Sequence, residues 1–512
     1  MINVVPGTGV KLKTTMTSST RIVNSRTMNG LIACLLGYIG LLLQPYWKTI
    51  AIGSFIMKDP EAVTQELKPA RLLAYGLPGL PLAALGLPLY IYLPTYYARD
   101  MALGAGVVGT VLLLARLFDV ITDPLVGMMN DRWQWRGWRR RLAMVAGTPF
   151  LLLGTWLLFQ PPSDVGPGWL LMGTLLAYWG WTLISIPHAA WGAELSPDYH
   201  ERSRLAASRE GFQALGVLVA LTLPLLAGTA QNIEATLRLL LYGIALALPL
   251  SVGAAVFSLP ESGLPGRQSI SRCRWRSLLR NRPLRLLLLT YILDGLANGL
   301  PATLFLLFVG ERLQAPEAVA PLLALYFLMG IAALPAWVRL SRRIGKHRAW
   351  AFSMGLGALS MVIVPWLGPK DLTIFAVTVA ITGSTLGADM TLPTAMQADV
   401  VDIDRLLSGG ERAGLLFGLW GLVTKLALAL AVGIAFPLLE LAGYEPGLRT
   451  QPDSALWTLS WLYAGLPVLL KLPCIWVAWH FPLDERMQAK LRRSIGRQYR
   501  KAKSTTDGTD NG

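Results

Sequence analysis

The sequence predicts an all-α polytopic membrane protein with about twelve transmembrane helices in two pseudo-symmetric six-helix bundles, and three observations support this prediction. Of the 512 residues, 53% are hydrophobic and only 15% are charged, whereas a soluble domain carries roughly 25% charged residues. Apolar runs of roughly twenty residues, the length that crosses a bilayer, recur along the chain. The net charge of +16 is concentrated in alternate connections between these runs. This distribution is the positive-inside pattern of membrane proteins, and it gives no reason to expect a nucleic-acid partner.

Residues 1–70 form an N-terminal extension that does not fit the pattern of spans. Its apolar stretch, 31–43, has only about thirteen residues, fewer than a span needs, and basic residues flank it on both sides. The stretch also lies too far from the first residue for a signal peptide. We therefore expect Met57 to be the native start and the upstream residues to be dispensable.

Twelve apolar spans follow the extension. We predict them at 72–97, 104–127, 142–160, 168–193, 205–228, 237–259, 284–309, 319–340, 349–367, 372–396, 414–439 and 456–481. They divide the chain into an N-terminal bundle (71–259), a basic linker (260–283), a C-terminal bundle (284–482) and a basic tail (483–512). Because the connections after even-numbered spans hold most of the arginines, we expect both ends of the core in the cytoplasm. The expected location is the plasma membrane, the inner membrane of a bacterium.

The second span holds ionisable residues that a membrane helix usually lacks. Within ARLFDVITDPLVG it contains Arg116, Asp119, Thr122 and Asp123. At spacings of three and four, Arg116, Asp119 and Asp123 share one face of a helix. A carboxylate inside a bilayer is costly unless it faces protein or a water-filled cavity, so two of them one turn apart indicate a functional site. The alternative is an Arg116–Asp119 ion pair that only neutralises two buried charges, and both interpretations can hold together.

Segments of the two bundles resemble each other. WVRLSRRIGKHR (337–348) is similar to the arginine-rich turn after span two, and PTAMQADVVDIDRL (393–406) is similar to PHAAWGAELSPDYHERSRL (187–205) after span four. Two six-span halves joined by a basic linker are the parallel repeat of major-facilitator transporters. The turn Gly127-x-x-x-Asp131-Arg132, with its trailing arginines, resembles the cytoplasmic loop motif of that superfamily. The resemblance implies that Asp131 and its arginines pair with helix ends and hold the two halves together in one state.

ARLFDVITDPLVG and PHAAWGAELSPDYHERSRL together resemble the glycoside–pentoside–hexuronide:cation symporters, a family of the major facilitator superfamily, over roughly 72–482. The resemblance implies a cation site between two carboxylates of helix two and a hydroxyl of helix four. In this sequence the matching residues are Asp119, Thr122, Asp123 and Thr182. Oxygen ligands suit a hard cation such as Na⁺, while the same carboxylates with altered proton affinity can carry H⁺. We assign coupling or gating roles to Arg116, Asp131, Arg132 and Arg209, the last because the family usually has an arginine at the start of helix five.

The solute side departs from the family pattern. Sugar-binding members place an acidic residue on helix one and another on helix four, but the matching positions here are Ala83 and Ser185. The solute class therefore stays open between a sugar, an acidic solute and a less polar one. Each polar or aromatic residue at membrane depth is either a solute contact or an interhelical partner. Our substrate-binding candidates are Trp181, Ser185, Asp294, Asn298, Asp389 and Lys425, the last matching a helix-eleven lysine of the family.

These observations predict a secondary active transporter that couples a cation, Na⁺ or H⁺, to symport of a sugar, glycoside or related small solute by alternating access. No nucleophile–base arrangement is visible, and the four histidines and three cysteines are dispersed. We therefore predict no catalytic residue, no enzyme activity, and no metal or cofactor beyond the coupling ion. The expected partners are a solute and membrane lipid, with a functional monomer. The alternatives are a cation-independent or proton-coupled carrier of a non-sugar solute, and a transporter-like solute sensor.

Overall fold

The computed structural model describes residues 67–132, 138–162, 164–229, 231–260, 278, 280–408, 410, 412–445, 451–488 and 490–491. Within these residues the chain forms twelve long helices, numbered here in chain order. They are α1 (Pro69–Asp100), α2 (Ala105–Arg132), α3 (Arg139–Phe159), α4 (Pro167–Leu195), α5 (Tyr199–Leu226), α6 (Ile233–Ser258), α7 (Arg282–Arg312), α8 (Pro316–Ile344), α9 (Lys346–Trp366), α10 (Leu372–Ser408), α11 (Ala413–Leu441) and α12 (Asp453–Trp479).

These helices have the dimensions of membrane spans. Eleven of them, all except α2, are long and apolar enough to cross a membrane by length and composition. Helix α2 has 28 residues and is therefore about 42 Å long, which exceeds the roughly 30 Å of a bilayer's hydrocarbon core. The prediction of an all-α protein with about twelve transmembrane helices is confirmed.

Several helices extend beyond the predicted spans at their charged ends. Helix α5 begins at Tyr199 rather than at 205, and α10 continues to Ser408 rather than ending at 396. Hydropathy marks a boundary where charged residues begin, but these charges are buried in ion pairs between helices. Because their partners satisfy them, the backbone continues as a helix past the apolar stretch.

Close packing between α2 and α11 joins the two halves of the molecule. A Cβ atom on Gly127 would lie 2.2 Å from the backbone oxygen of Gly414, and one on Gly418 would lie 2.6 Å from the backbone oxygen of Asp123. Small residues at such positions allow two helix backbones to approach, which is how membrane helices gain packing energy without a hydrophobic driving force. The second half therefore contacts α2 along the stretch that holds its carboxylates.

The two six-helix groups are α1–α6, which ends at Ser258, and α7–α12, which begins at Arg282. The predictions for the N-terminal extension, including a start at Met57, fall outside the described residues. The same is true of most of the linker and of the tail after residue 491.

Candidate functional site

Helices α2, α4 and α11 meet at a pair of buried carboxylates. Asp119 and Asp123 of α2 are 3% and 1% exposed. The Thr182 hydroxyl of α4 donates to Asp123 Oδ1 at 2.9 Å and lies 3.4 Å from Asp119 Oδ1. Lys425 of α11 places its Nζ 2.7 Å from Asp119 Oδ1 and 2.7 Å from Asp123 Oδ2. We call Asp119, Asp123, Thr182 and Lys425 the ion site; it takes residues from both halves of the molecule.

Local sequence explains how the carboxylates reach α11. The spacing of four directs Asp119 and Asp123 to one face of α2. On the facing helix, a Cβ atom at Gly421 would lie 2.6 Å from Asp123 Oδ2. Glycine at this position therefore leaves the space in which the Asp123 carboxylate and the Lys425 ammonium meet.

The ion site can hold one small cation. Carboxylate oxygens from Asp119 and Asp123 surround a single ammonium group, and the Thr182 hydroxyl oxygen lies beside them. Carboxylate and hydroxyl oxygens are the ligands that hard cations prefer. The Lys425 ammonium carries the same charge as Na⁺ or a proton, so it satisfies the carboxylates in a state without such an ion.

Arg116 lies on the flank of the ion site. Its Nη1 donates to the Tyr90 hydroxyl at 2.9 Å and lies 3.4 Å from Asp119 Oδ2. The guanidinium also lies 4.6 Å from the ring centre of Tyr90 and 5.6 Å from that of Tyr178. The Arg116–Asp119 ion pair of the alternative interpretation is present, although it is longer than the pair that Asp119 makes with Lys425.

Thr122 is oriented differently from the other predicted cation ligands. Its hydroxyl donates to the backbone oxygen of Asp119 at 3.0 Å, a local helix contact. Among the described residues, no hydrogen bond from this hydroxyl to a carboxylate is present.

A second polar cluster lies within the C-terminal half, on α7, α9, α10 and α12. Lys471 Nζ lies 2.9 Å from Asp294 Oδ1 and 3.5 Å from Asp389 Oδ2. Asn298 donates to Asp294 at 3.2 Å, and the Ser353 hydroxyl donates to Asp389 at 3.1 Å. Two of our substrate-binding candidates, Asp294 and Asp389, thus share Lys471 as a partner, and a third, Asn298, donates to both carboxylates. Membrane-depth charges usually pair in this way.

At the ends of the helices where the arginines cluster, which we call the arginine-rich end, Asp131 joins the two halves. Its carboxylate accepts hydrogen bonds from the backbone nitrogens of Gly414 at 2.9 Å and Leu415 at 2.8 Å, in the first turn of α11. Arg140 Nη2 lies 2.8 Å from Asp131 and 2.7 Å from Glu194. A carboxylate at a helix N-terminus satisfies unpaired amide groups and complements the helix dipole.

A second connection at the arginine-rich end joins α5 to α10. Arg202 donates to Asp399 at 3.1 Å, to Asp402 at 2.8 Å and to the backbone oxygen of Ala398 at 3.0 Å. Lys346 of α9 lies 2.6 Å from the other oxygen of Asp399. Because all these charges are buried and paired, the two halves are held closed at this end.

Among the described residues, the other predicted site residues make no hydrogen bond or ion pair with the ion site. Arg209 is buried and pairs with its sequence neighbour Glu210, whereas Arg132 is exposed at the end of α2. Trp181 of α4 lies beside α1. A Cβ atom built on Gly86 of α1 would be 3.7 Å from the Trp181 ring. Ser185, one turn beyond Trp181, is half-buried.

Sequence reasoning missed several pairings. It named Lys425 only as a substrate-binding candidate, and it gave no specific role to Arg140, Glu194, Arg202 or Asp399. The only available signal was the presence of single charges within apolar runs, such as Lys425, or at their ends. Such a signal shows that partners exist without showing which residues they are.

Two six-helix groups, joined by ion pairs at one end and at mid-span, are the fold of the major-facilitator class of proteins. Solved structures share the fold. The Escherichia coli fucose:proton symporter FucP superposes with a TM-score of 0.60 at 13% identity, covering 81% of this chain and 98% of that one. A bacterial homologue of the iron transporter ferroportin gives a TM-score of 0.60 at 15% identity, covering 80% of this chain and 98% of that one.

The chain belongs to the MFS/sugar transport protein family, whose model matches residues 74–485. It is similar to the glucuronide carrier protein homolog of Escherichia coli (strain K12), with 24% identity over 77% of this chain and 88% of that one. It is also similar to the sodium-dependent lysophosphatidylcholine symporter 1 of Homo sapiens, with 23% identity over 89% of this chain and 93% of that one. These findings confirm the resemblance to cation symporters, and the chain is a polytopic membrane transporter and not an enzyme.

Proposed function

We propose that this protein is a cation-coupled symporter that carries a small organic solute, a sugar, a glycoside or a related compound, by alternating access. The observation that carries the proposal is the Lys425 ammonium between the Asp119 and Asp123 carboxylates, 2.7 Å from each. An ammonium in this position is replaced by a coupling cation when the ion binds. Sodium suits the oxygen ligands, and the sodium-dependent relative supports this choice for the coupling ion.

Replacement of Lys425 couples ion binding to movement of the halves. Lys425 belongs to α11 and the aspartates belong to α2, so the ion pair joins the two halves at membrane depth. An ion that binds Asp119, Asp123 and Thr182 breaks this connection and keeps its own ligands within the N-terminal half. The coupling ion and the solute then favour the same arrangement of the two halves, the one in which Lys425 no longer joins them. Each ligand therefore raises the affinity of the protein for the other.

By the positive-inside rule, we expect the arginine-rich end to lie in the cytoplasm of a bacterial cell, together with both ends of the core. This end is closed by the contact of Asp131 of α2 with α11 and by the contact of Arg202 of α5 with α10. The state described here is therefore closed towards the cytoplasm, and the solute enters from the other side.

Sodium binding tests the proposal directly. Thermal unfolding of the purified protein is measured in sodium chloride and in choline chloride, for the wild type and for Asp119→Asn and Asp123→Asn. We expect sodium to raise the unfolding temperature of the wild type only, because a ligand that binds the folded state stabilises it. Asp100→Asn changes an exposed aspartate and is the matched control.

The outcomes separate the alternatives. Sodium stabilisation that persists in Asp119→Asn and Asp123→Asn contradicts the assignment of the ion site. If sodium has no effect but solute uptake into liposomes follows a proton gradient and is lost in both variants, the carboxylates carry protons. Bound solute without any uptake identifies a sensor.

A further inference from the structure

The charged side chains of the ion site and its flank cancel one another. Asp119 and Asp123 contribute two negative charges, and Lys425 and Arg116 contribute two positive charges. Lys425 contacts both carboxylates, and Arg116 contacts that of Asp119. Both aspartates are at most 3% exposed. In surroundings of low dielectric constant this balance matters, because an uncompensated buried charge is costly.

Binding of the coupling cation disturbs this balance. One Na⁺ between Asp119 and Asp123 brings a third positive charge to a site with two negative ones. The site then has one positive charge in excess, carried by a lysine or an arginine at membrane depth. An anion supplied by the solute restores neutrality, whereas an uncharged solute leaves the excess charge in place.

Arg116 is the side chain most able to receive such an anion. Its side chain is 27% exposed, against 4% for that of Asp119. Hydrogen bonds from Arg116 to other described residues involve only Nη1, so Nη2 and Nε remain available as a fork. Guanidinium forks of this kind bind carboxylate and phosphate groups through two parallel hydrogen bonds.

The exposed part of Arg116 does not lie on the lipid-facing side of α2. The five most exposed apolar residues of this helix lie on a separate face, four of them at a spacing of four: Leu113, Leu114, Leu117, Ile121 and Leu125. Arg116 shares the face of Asp119, where Lys425 of the other half makes contact. The aromatic side chains of Tyr90 and Tyr178 flank the guanidinium and fix its plane.

We propose that the solute carries one net negative charge, on a carboxylate or a phosphate, and that this group binds Arg116 after the coupling cation has displaced Lys425. This inference rests on the proposed symport function and deepens it by naming the charge of the solute. It also agrees with the absence of acidic residues at positions 83 and 185, where they would repel an anion. One relative is named for glucuronide, which has one negative charge, and another for lysophosphatidylcholine, whose phosphate is balanced by its choline. A sugar carboxylate and a lysolipid phosphate without choline are therefore the two sources of the anionic group to compare.

The test measures the sodium affinity of the purified protein, by titration of its unfolding temperature, in the presence of matched ligands. One pair is methyl glucuronide and methyl glucoside, which differ in a carboxylate. The other pair is lysophosphatidylglycerol, with one negative charge, and uncharged monoacylglycerol. We expect the anionic member of one pair to tighten sodium binding about tenfold, the scale of one charge-assisted hydrogen bond. The pair that responds identifies a sugar acid or a lysolipid as the source of the anion.

Variants assign the effect to Arg116. Arg116→Gln is expected to lose the tightening by the anion, and Arg116→Lys to keep part of it because the charge remains. Arg238→Gln removes a half-exposed arginine that pairs with Glu234 and is expected to behave like the wild type. Equal tightening by the uncharged member of a pair, no tightening by either anion, or an unchanged effect in Arg116→Gln overturns the inference. The assignment of sodium as the coupling ion, on which the proposed function rests, fails separately, if sodium does not bind in the absence of any solute.

Discussion

Two threonines beside the same carboxylates allow a matched comparison at the residue scale. Thr182 donates to Asp123 at 2.9 Å, whereas Thr122 donates to a backbone oxygen. Thr182→Val removes an oxygen ligand and a hydrogen bond worth about 1 kcal/mol, so we expect sodium affinity to fall about five- to tenfold. Thr122→Val is expected to change sodium affinity by less than about twofold. Titration of the unfolding temperature with sodium measures both, and equal losses would contradict this assignment of the ligands.

Removal of the Lys425 charge tests whether the Lys425 ammonium and the coupling cation compete for the carboxylates of Asp119 and Asp123. Lys425→Gln leaves Asp119 and Asp123 facing each other with only Arg116 as a counter-charge. We expect the variant to be less stable than the wild type in choline by about 3 kcal/mol, the scale for breaking a buried ion pair. Sodium is expected to restore much of this loss and to bind more tightly than in the wild type. Weaker sodium binding in Lys425→Gln, with the fold intact by circular dichroism, would show that lysine assists the ion and does not compete with it.

For individual side chains, the sequence could predict only relations between residues that are close in the chain. Asp119 and Asp123 share a face because a helix has 3.6 residues per turn, and this follows from their spacing alone. The role of the Thr182 hydroxyl as a cation ligand was predicted only from the resemblance to a family. The partnership of Lys425 with both aspartates depends on how α11 packs on α2, and a single sequence contains no signal for that contact.

At the scale of whole helices, the approach of α2 to α11 depends on glycine. A Cβ atom on Gly127 would lie 2.2 Å from the backbone oxygen of Gly414, whereas one on Gly433 of α11 would meet nothing within 4 Å. Gly127→Ala is expected to destabilise the protein by about 1–3 kcal/mol, as overpacking does. Gly433→Ala is expected to be neutral or slightly stabilising, because alanine favours the helix. Thermal unfolding in detergent compares the two variants. Equal unfolding temperatures would contradict the view that close packing of α2 on α11 contributes to stability.

Helix ends were the part of the fold least accessible from sequence. Apolar runs predicted the existence and order of all twelve helices, since each run is local and must satisfy its own backbone in lipid. The extra length of α10, to Ser408, carries Asp399 and Asp402, which hydropathy excludes from a span. Their pairing with Arg202 of α5 makes the extension possible. The pairing can be seen only in the packed arrangement of α5 and α10.

For the whole molecule, the pairing of Arg202 sets the balance between closed and open states of the arginine-rich end. Arg202→Gln leaves Asp399 with Lys346 and removes the cationic partner of Asp402. Because breaking a buried pair costs about 3–5 kcal/mol, we expect this end to open more often. A cysteine introduced as Ala398→Cys, in a chain with Cys34, Cys273 and Cys474 changed to serine, reports opening by its rate of reaction with a thiol reagent. We expect that rate to rise at least about tenfold with Arg202→Gln.

Arg204→Gln is the control for this measurement, because Arg204 pairs with Glu201 on its own helix. It is expected to leave the rate of reaction near that of the parent chain. A rate that rises equally in both variants would mean that loss of any arginine near the end of α5 loosens this region, and that Arg202 does not specifically join the halves.

Charge balance also determines how the whole carrier responds to membrane voltage. If one Na⁺ and one monovalent anion bind together, their charges cancel. The empty and loaded carriers then have the same charge at membrane depth, where Asp119, Asp123, Arg116 and Lys425 already sum to zero. Moving one net charge across the membrane changes the free energy by about 2.3 kcal/mol per 100 mV. Because uptake of one Na⁺ with one monovalent anion moves no net charge over the whole cycle, the membrane potential does not drive it.

We therefore expect sodium-driven uptake of the anionic ligand into liposomes to be nearly unaffected when a potassium gradient with valinomycin imposes a membrane potential. In Arg116→Gln the site has one positive charge fewer, so the empty carrier moves a net negative charge as it reorients. Residual uptake by this variant is expected to depend on the potential. Uptake by the wild type that rises steeply as the interior becomes negative would instead show that more than one cation accompanies each anion, or that the solute is uncharged.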